Sequence, residues 1–179
     1  MRWTAAALIL RCAPGPLVAP GDAAVPSGCP DLRAPPDHPC RPDAFATVRR
    51  VVDGDTLDVS LDGAGLSRVR LIGFDAPEHD EGACGAGAQE HLDSLAPAGT
   101  RLVLVFDAEC QDAYGRDLAY AWAGDRMLNA AMLGDGFAQA CPYQPNTTYA
   151  AAFRCLGENA EAEGSGLWAL GCHRDPCFE

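Results

Sequence analysis

Short runs of alternating hydrophobic and polar positions, or of β-branched residues, begin near Phe45 and recur through the chain. Such runs are typical of strands, and the Asp/Gly turns between the first three are typical of a β-meander. The predicted strands are 47–52, 57–61, 67–72, 101–106 and 117–123. We therefore expect a sheet built from these short strands.

Helical patterns lie between and after the strands. They predict helices over 89–95, 127–133 and 148–163, and proline or glycine follows each of the first two. Thr147 or Thr148 is the expected N-cap of the last helix. Five strands and three helices in 179 residues predict a β-rich α+β fold, a five-stranded OB-type Greek-key barrel decorated with three helices.

The region before the strands is dense in proline and glycine, which disfavour helices and central strands. We expect a signal or leader segment in 1–26, where a basic residue precedes a short apolar run, although no clear cleavage site follows. A proline-rich, cysteine-containing linker is expected in 27–43, a single domain in 44–170 and a cysteine-containing tail in 171–179. No apolar run reaches the roughly 18 residues of a membrane span.

The chain has nine cysteines, of which Cys12 falls in the leader, and it has no Cys-x-x-Cys pair. The other eight form an even set, in which Cys29 and Cys40 could fasten part of the linker. This count favours four disulfides formed in an oxidising compartment, so a secreted or periplasmic protein is expected. Buried free thiols in a cytosolic enzyme are the alternative.

The charge balance is strongly acidic, with a net charge of −12 and an isoelectric point near 4.6. This argues against a protein that coats DNA non-specifically. All 13 basic residues are arginine, because the chain has no lysine. Any phosphate contact from a basic side chain must therefore come from arginine, whose planar guanidinium can hold two oxygens at once.

Two acidic stretches carry the first part of the candidate chemistry, VVDGDTL at 51–57 and RLIGFDAPE at 70–78. Asp55 stands at the start of a predicted strand, after a glycine that permits a tight bend, and Asp75 stands before a proline turn. Two adjacent carboxylates repel each other, so a cation between them is favourable, and calcium accepts carboxylate, carbonyl and water oxygens. The alternatives are a simple Asp-Gly turn and, for Arg70, a structural ion pair with one of these aspartates.

A third stretch, DAYGRDLAY at 112–120, places Arg116 after a glycine bend and before a strand. A guanidinium there can reach a phosphate and stabilise the charge that develops during displacement. Tyr114 can lie against a sugar or base, and surface decoration is the alternative for both side chains. Paired carboxylates, a further carboxylate for water and arginines for phosphate are what a metal-assisted phosphodiesterase needs.

Taken together, the three stretches resemble the thermonuclease (staphylococcal-nuclease-like) family in order and spacing, over roughly 45–170. Residues within 127–136, 143–146 and 166–168 resemble the C-terminal half of that family. The resemblance implies a five-stranded OB barrel with three helices, calcium dependence, and cleavage of DNA and RNA to products that end in 3′-phosphate.

The resemblance also implies a calcium site. Asp55 and Asp75 would bind the ion through their carboxylates, and Ala76 would bind it through its backbone carbonyl. Asp53 and Thr56 are expected to support these ligands.

Catalytic roles are implied in the same way. Glu78 would activate or orient the attacking water, while Arg70 and Arg116 would bind the phosphate. The nucleotide is expected to lie against Tyr114 and Tyr143.

Two departures from the family pattern affect the expected pocket. The residues before Tyr143 are Ala140, Cys141 and Pro142, so one tyrosine of the family's nucleotide pocket has no clear counterpart and base contacts are expected to be weaker or differently made. Cys84 and Cys110 fall in loops beside the expected site, and a disulfide between them would brace both loops.

The expected protein is thus a monomeric, calcium-dependent nuclease acting on DNA, RNA or both. One alternative is a catalytically silent OB module that binds nucleic acid or protein. Another is an extracellular protein whose acidic loops bind calcium for stability alone. Loss of an essential residue would favour the silent module, but all five charged positions are intact. In the calcium-binding alternative, Arg70, Glu78 and Arg116 would have no shared purpose.

Overall fold

The computed structural model describes residues 28–172 and Cys177. In chain order the strands are β1 (Ala44–Val51), β2 (Thr56–Leu61), β3 (Gly65–Leu71), β4 (Phe74–Asp75), β5 (Arg101–Val105), β6 (Asp117–Ala123), β7 (Arg126–Met127) and β8 (Gln139–Ala140). The helices are α1 (Ala83–Leu95), α2 (Leu128–Gly134) and α3 (Ala150–Glu163), followed by a 3-10 turn at Gly166–Trp168.

Five of these strands close into a barrel. β1 pairs with β2 and β5, β2 pairs with β3, and β5 pairs with β6, all antiparallel. A parallel pairing of β3 with β6, in which Val69 lies opposite Asp117, joins the two edges. The predicted five-stranded OB-type barrel with three helices is therefore confirmed, and each predicted strand corresponds to one barrel strand.

The core follows the period-two pattern of the strands. Leu57 and Val59 on β2 are fully buried, as are Val69 and Leu71 on β3, whereas the intervening residues reach the outer face. This alternation fixes the register of the sheet, because a slip by one residue would exchange its two faces.

Helix α2 is docked on the barrel through a buried amide. Asn129 accepts a hydrogen bond from the Ala121 backbone N–H at 2.9 Å and donates one to the Ile72 carbonyl at 2.9 Å. Both partners are backbone groups at the end of the barrel where β3 leads into β4, so this end is held from two sides.

The first helix is longer than its sequence pattern indicated, since α1 begins at Ala83 rather than at 89. The added turns contain Gly85 and Gly87, which lower helix propensity and conceal the pattern. Tertiary packing requires glycine at Gly85, because a Cβ there would come within 1.8 Å of the Glu78 carbonyl oxygen.

The predicted threonine cap of the third helix is wrong. The N-cap of α3 is Tyr149, and no side chain caps it. The backbone N–H of Thr148 instead donates to Asp107 Oδ2 at 3.1 Å, so a tertiary contact replaces the local cap. Tyr149 is buried, with its ring edge-on to Tyr120 at 4.6 Å between centroids.

All eight cysteines outside the leader are paired, which confirms four disulfides. The expected bridge between Cys84 and Cys110 is wrong, because Cys84 pairs with Cys172 and Cys110 pairs with Cys40. The start of α1 faces the C-terminal segment, whereas the loop before β6 faces the N-terminal one. The remaining bridges are Cys29–Cys155 and Cys141–Cys177.

The proline-rich segment from 28 to 43 contains no helix or strand, and it packs against the barrel. Leu32 is buried in the core, and the Arg41 guanidinium lies 3.8 Å from the centroid of the Phe106 ring and 2.8 Å from Asp117 Oδ1. The predicted leader, including Cys12, lies outside the described residues. Among those residues no helix has the length and apolar character needed to cross a bilayer.

Candidate active site

The turn between β1 and β2 is packed closely against two other elements. A Cβ on Gly54 would come within 2.6 Å of Ala76 Cβ and 2.7 Å of Ala88 Cβ. The chain bends at 53–55, as the sequence indicated, but Gly54 does not have a positive φ. The close approach of Ala76 and Ala88 is therefore what requires glycine here. The result is that Asp55 is held beside the residue that follows Asp75.

The Asp55 carboxylate is buried, with 3% of the residue exposed, and is surrounded by donors. Its Oδ1 accepts a hydrogen bond from Thr56 Oγ1 at 2.9 Å, and its Oδ2 accepts one from the Ala76 backbone N–H at 3.4 Å. The backbone N–H of Asp55 donates to Asp53 Oδ1 at 3.1 Å. Asp53 and Thr56 thus contact Asp55 directly and orient it.

Arg70 joins the two aspartates. Its Nη1 forms an ion pair with Asp55 Oδ2, and its Nη2 lies 2.7 Å from Asp75 Oδ1. Nη2 also donates to the Phe74 carbonyl at 3.3 Å. The Arg70 side chain is only 14% exposed, while that of Asp75 is 56% exposed. The ion pair considered for Arg70 is therefore present, and it involves both carboxylates.

Glu78 lies in the loop between β4 and α1. The backbone N–H of Glu81 donates to the Glu78 carbonyl at 2.9 Å, and Glu81 Oε1 accepts from the Glu78 N–H at 3.3 Å. Desolvation raises the pKa of the Glu78 carboxyl, with Asp53 and Asp75 raising it further and Arg70 opposing them. The carboxyl of Glu78 thus shares an electrostatic environment with the residues around Asp55.

A second, separate loop carries Arg116. The Asp112 carboxylate accepts hydrogen bonds from the backbone N–H groups of Tyr114 and Arg116, both at 2.9 Å, and from Arg116 Nε at 2.6 Å. Gly115 has a φ of 78°, which this loop requires. Asp112 therefore fixes the Nε edge of the Arg116 guanidinium.

A pocket of about 400 Å³ extends from Arg70 to the loop that carries Arg116. Arg70 and Arg116 line it, together with Tyr114 and Tyr143. The tyrosines are exposed, Tyr114 by 86% and Tyr143 by 51%, and are accessible to a ligand. The carboxylates of Asp55 and Asp75 adjoin this pocket through their contacts with Arg70.

The residues present fit a hard cation with oxygen ligands. No group of three or more His, Cys, Asp or Glu side chains suited to a metal occurs within 28–172 or at Cys177. The Asp55 and Asp75 carboxylates, which both contact Arg70, nevertheless provide two oxygen ligands for a cation, and Asp55 also contacts the backbone of Ala76. Calcium completes its coordination with carbonyl and water oxygens, whereas a zinc site would need nitrogen or sulfur ligands.

Two residues with a structural role in the site were not singled out from the sequence. Asp112 organises the Arg116 loop, and its spacing of four residues from Arg116 was the available signal. Asn146 is buried, accepts from the Glu109 N–H at 2.8 Å and donates to the Glu109 carbonyl at 3.0 Å. It thereby ties the loop that bears Tyr143 to the segment before the Arg116 loop.

Comparison with known proteins identifies the family to which the chain belongs. The family model described as "Staphylococcal nuclease homologue" matches residues 68–170. The thermonuclease of Staphylococcus intermedius is 35% identical over 130 residues, which are 68% of this chain and 74% of that protein. The thermonuclease of Staphylococcus hyicus is 32% identical over 131 residues, with the same two shares.

A protein from a different genus matches a similar share of the chain. The endonuclease YncB of Bacillus subtilis strain 168 is 32% identical over 130 residues, covering 69% of this chain and 61% of YncB. The family match spans more than half of the chain and includes Arg70, Asp75, Glu78 and Arg116. The chain therefore belongs to the staphylococcal nuclease homologue family.

Proposed function

We propose that this protein is a calcium-dependent nuclease that hydrolyses phosphodiester bonds in DNA, RNA or both and leaves 3′-phosphate ends. The observation that carries the proposal is the convergence of Arg70 with Asp55 and Asp75 at a pocket that Arg116 also lines. Two arginines at one pocket, with two carboxylates in contact with one of them, favour metal-assisted phosphoryl chemistry over a passive binding face. The family's nuclease members support the same conclusion.

In this proposal calcium binds the Asp55 and Asp75 carboxylates and the Ala76 carbonyl. When bound, the ion would polarise a non-bridging phosphate oxygen. Asp53 and Thr56 keep the Asp55 carboxylate in place through the hydrogen bonds described above. The acidic pair needs this support, because a carboxylate as buried as Asp55 must be held by donors or by opposite charge.

Glu78 serves as the base that orients the attacking water. The backbone of Glu78 is packed against α1 at Gly85, which positions the start of this side chain. Arg70 exchanges part of its contact with the aspartates for a phosphate oxygen, while Arg116 approaches the same phosphate from the other loop. Both guanidiniums offset the charge that grows on the phosphoryl oxygens during in-line displacement.

Tyr114 and Tyr143 bracket the nucleotide next to the scissile phosphate. Their exposed rings offer stacking surfaces that do not select one base. Cys141 lies in the stretch where a further tyrosine of the family pattern is expected, and it forms a disulfide bond with Cys177. We therefore expect base discrimination to be weak.

The four disulfides support a secreted or periplasmic site of action, since such bonds persist in oxidising compartments. We expect the protein to act as a monomer. Light scattering of the purified protein tests this expectation.

The proposed function is tested by incubating the purified protein with single- and double-stranded DNA and RNA, in chelator or in calcium. Hydrolysis in calcium, its loss in chelator and 3′-phosphate ends identified by mass spectrometry are expected. Full hydrolysis in chelator, or 3′-hydroxyl ends, would refute the corresponding part of the proposal. Absence of hydrolysis under every condition would favour a silent binding module.

A further inference from the structure

A second depression, of about 680 Å³, lies directly beside the candidate catalytic pocket. Tyr114 and Arg116 line both, so the two share a wall. Arg49, Arg50 and Arg68 also line the second depression, together with Asp58. None of these three arginines belongs to the proposed catalytic residues.

The barrel register explains why arginines are concentrated here. Arg50 lies opposite Asp58 across β1 and β2, and Asp58 lies opposite Arg68 across β2 and β3. The side chains of Arg50, Asp58 and Arg68 therefore lie next to one another across the outer face of the barrel. We call the two arginines of this set, together with Arg49, the arginine row.

A bulge in β1 adds the third member of this row. The pairing of β1 with β2 shifts register between Val48 and Arg50. In a regular strand, Arg49 and Arg50 would point to opposite faces, but the bulge leaves both exposed. Arg49 thus reaches the same surface as its neighbour.

The row carries more positive charge than its local partners neutralise. Asp58 is bound by Arg50 Nη2 at 2.8 Å and by Arg68 Nε at 2.7 Å, so one carboxylate serves two guanidiniums. Arg49 has no acidic partner among the residues that the structure describes. In a chain with a net charge of −12, the row is therefore a local surplus of positive charge.

Exposed apolar groups accompany the charge. Leu66 is 80% exposed and Tyr114 is 86% exposed, and both line this depression. Guanidiniums beside exposed flat or apolar side chains match a nucleic-acid strand, whose phosphates and bases alternate. A free phosphate or a small anion would make no favourable contact with the apolar part of this surface.

We infer that the arginine row binds backbone phosphates of the nucleic-acid strand next to the nucleotide in the catalytic pocket. This inference rests on the proposed function and extends it. The strand passes over Tyr114 and Arg116 and continues across β1, β2 and β3. Substrates that are long enough to reach the row should therefore bind more tightly than short ones.

The test compares fluorescently labelled single-stranded oligonucleotides of 4 and 12 nucleotides, as DNA and as RNA, bound in chelator to the full chain. Anisotropy titrations at several salt concentrations give the affinity and its salt dependence. The variants are Arg49→Ser and Asp58→Asn. The control is Arg154→Ser, because Arg154 is also exposed but lies on α3 and lines neither pocket.

In Arg49→Ser we expect the affinity for the 12-mer to fall about three- to fivefold, as for the loss of one exposed charge contact. The slope of log affinity against log salt should fall by about 0.7, the value for one phosphate contact on a single strand. Asp58→Asn should strengthen 12-mer binding, because it frees two guanidiniums. Similar losses for DNA and RNA indicate that the row reads phosphate, and a loss for one alone indicates that it also reads the sugar.

Equal 12-mer binding by wild type, Arg49→Ser and Asp58→Asn would overturn the inference, as would an equal loss in Arg154→Ser. Cleavage separates this result from the proposed function. Hydrolysis by wild type with no effect of Arg49→Ser on the ratio of kcat/KM for 12-mer and 4-mer would refute the arginine row alone. Row-dependent binding without hydrolysis in any divalent ion would refute the proposed nuclease activity alone.

Discussion

The acidic and basic halves of the candidate site are held in place in different ways. The acidic half, centred on Asp55, depends on long-range packing, because the turn at Gly54 is pressed against Ala76 and Ala88. The basic half, centred on Arg116, depends on one local carboxylate, that of Asp112. The first half should therefore couple activity to folding stability, whereas the second should affect activity with little effect on stability.

The largest expected effect is that of Arg70→Ala. Catalysis should fall at least a hundredfold through loss of a preorganised phosphate donor. In chelator the free energy of unfolding should also fall by about 3 kcal/mol, because Asp55 would keep a buried charge without its partner. Urea unfolding with and without calcium measures this, and calcium should restore part of the lost stability.

Arg101→Ala is the matched control for stability, since it removes an exposed pair with Asp62. Because both side chains are exposed to solvent, this change should have little effect on the free energy of unfolding and should leave the rate unchanged. An equal loss of stability in both variants would show that burial of the Arg70 pair has no special weight.

The second prediction concerns the basic half. Arg116→Ala should also lower the rate on the order of a hundredfold. Its effect on the free energy of unfolding should stay below about 1 kcal/mol, because the contact with Asp112 is local and partly exposed. Steady-state kinetics and urea unfolding of the same preparation separate the two effects, and a collapse in stability would remove the distinction between the halves.

The third prediction compares one glycine from each half of the site. Gly54→Ala should cost about 1–3 kcal/mol and weaken calcium binding, because the new Cβ would overlap Ala76 and Ala88. Gly115→Ala meets open space but must adopt a φ of 78°, so about 1 kcal/mol is expected. Thermal unfolding and calcium titration calorimetry check both values. Normal calcium affinity in Gly54→Ala would contradict the packing argument.

The smallest effect is a pH dependence at the basic half. Burial raises the pKa of the Asp112 carboxyl, but hydrogen bonds and charge from Arg116 outweigh it and leave the pKa below its usual value. A group with a lower pKa in the folded state adds stability above its unfolded pKa, near 4, and loses it as pH falls through the folded value. Asp112→Asn should therefore lose less stability between about pH 5 and pH 3 than wild type, measured by urea unfolding. An unchanged acid limb would show that Asp112 does not contribute.

Local patterns in the sequence were sufficient for the barrel and for the three chemical stretches. Each barrel strand has its own run of alternating or β-branched residues, and the site residues are close to turns that short motifs define. The start of α1 and the cap of α3 could not be predicted, because both depend on tertiary contacts. Gly85 packs against the Glu78 carbonyl, and the Thr148 N–H donates to the Asp107 carboxylate.

Features that depend on pairing across the fold were also beyond the sequence. The partner of Cys84 depends on how the C-terminal segment returns to α1, which no spacing of cysteines reveals. The arginine row depends on a bulge at Arg49 and on cross-strand register with Asp58. Neither a bulge nor a register can be read from charge patterning alone.

The most direct test of the central claim is a crystal structure with calcium and a short oligonucleotide that carries an uncleavable phosphonate linkage. We predict one calcium ion bound by Asp55, Asp75 and the Ala76 carbonyl, with Arg70 and Arg116 both on the linkage that replaces the scissile phosphate. A structure in which Arg70 still bridges the two aspartates, with no ion beside them and the linkage elsewhere, would contradict the account.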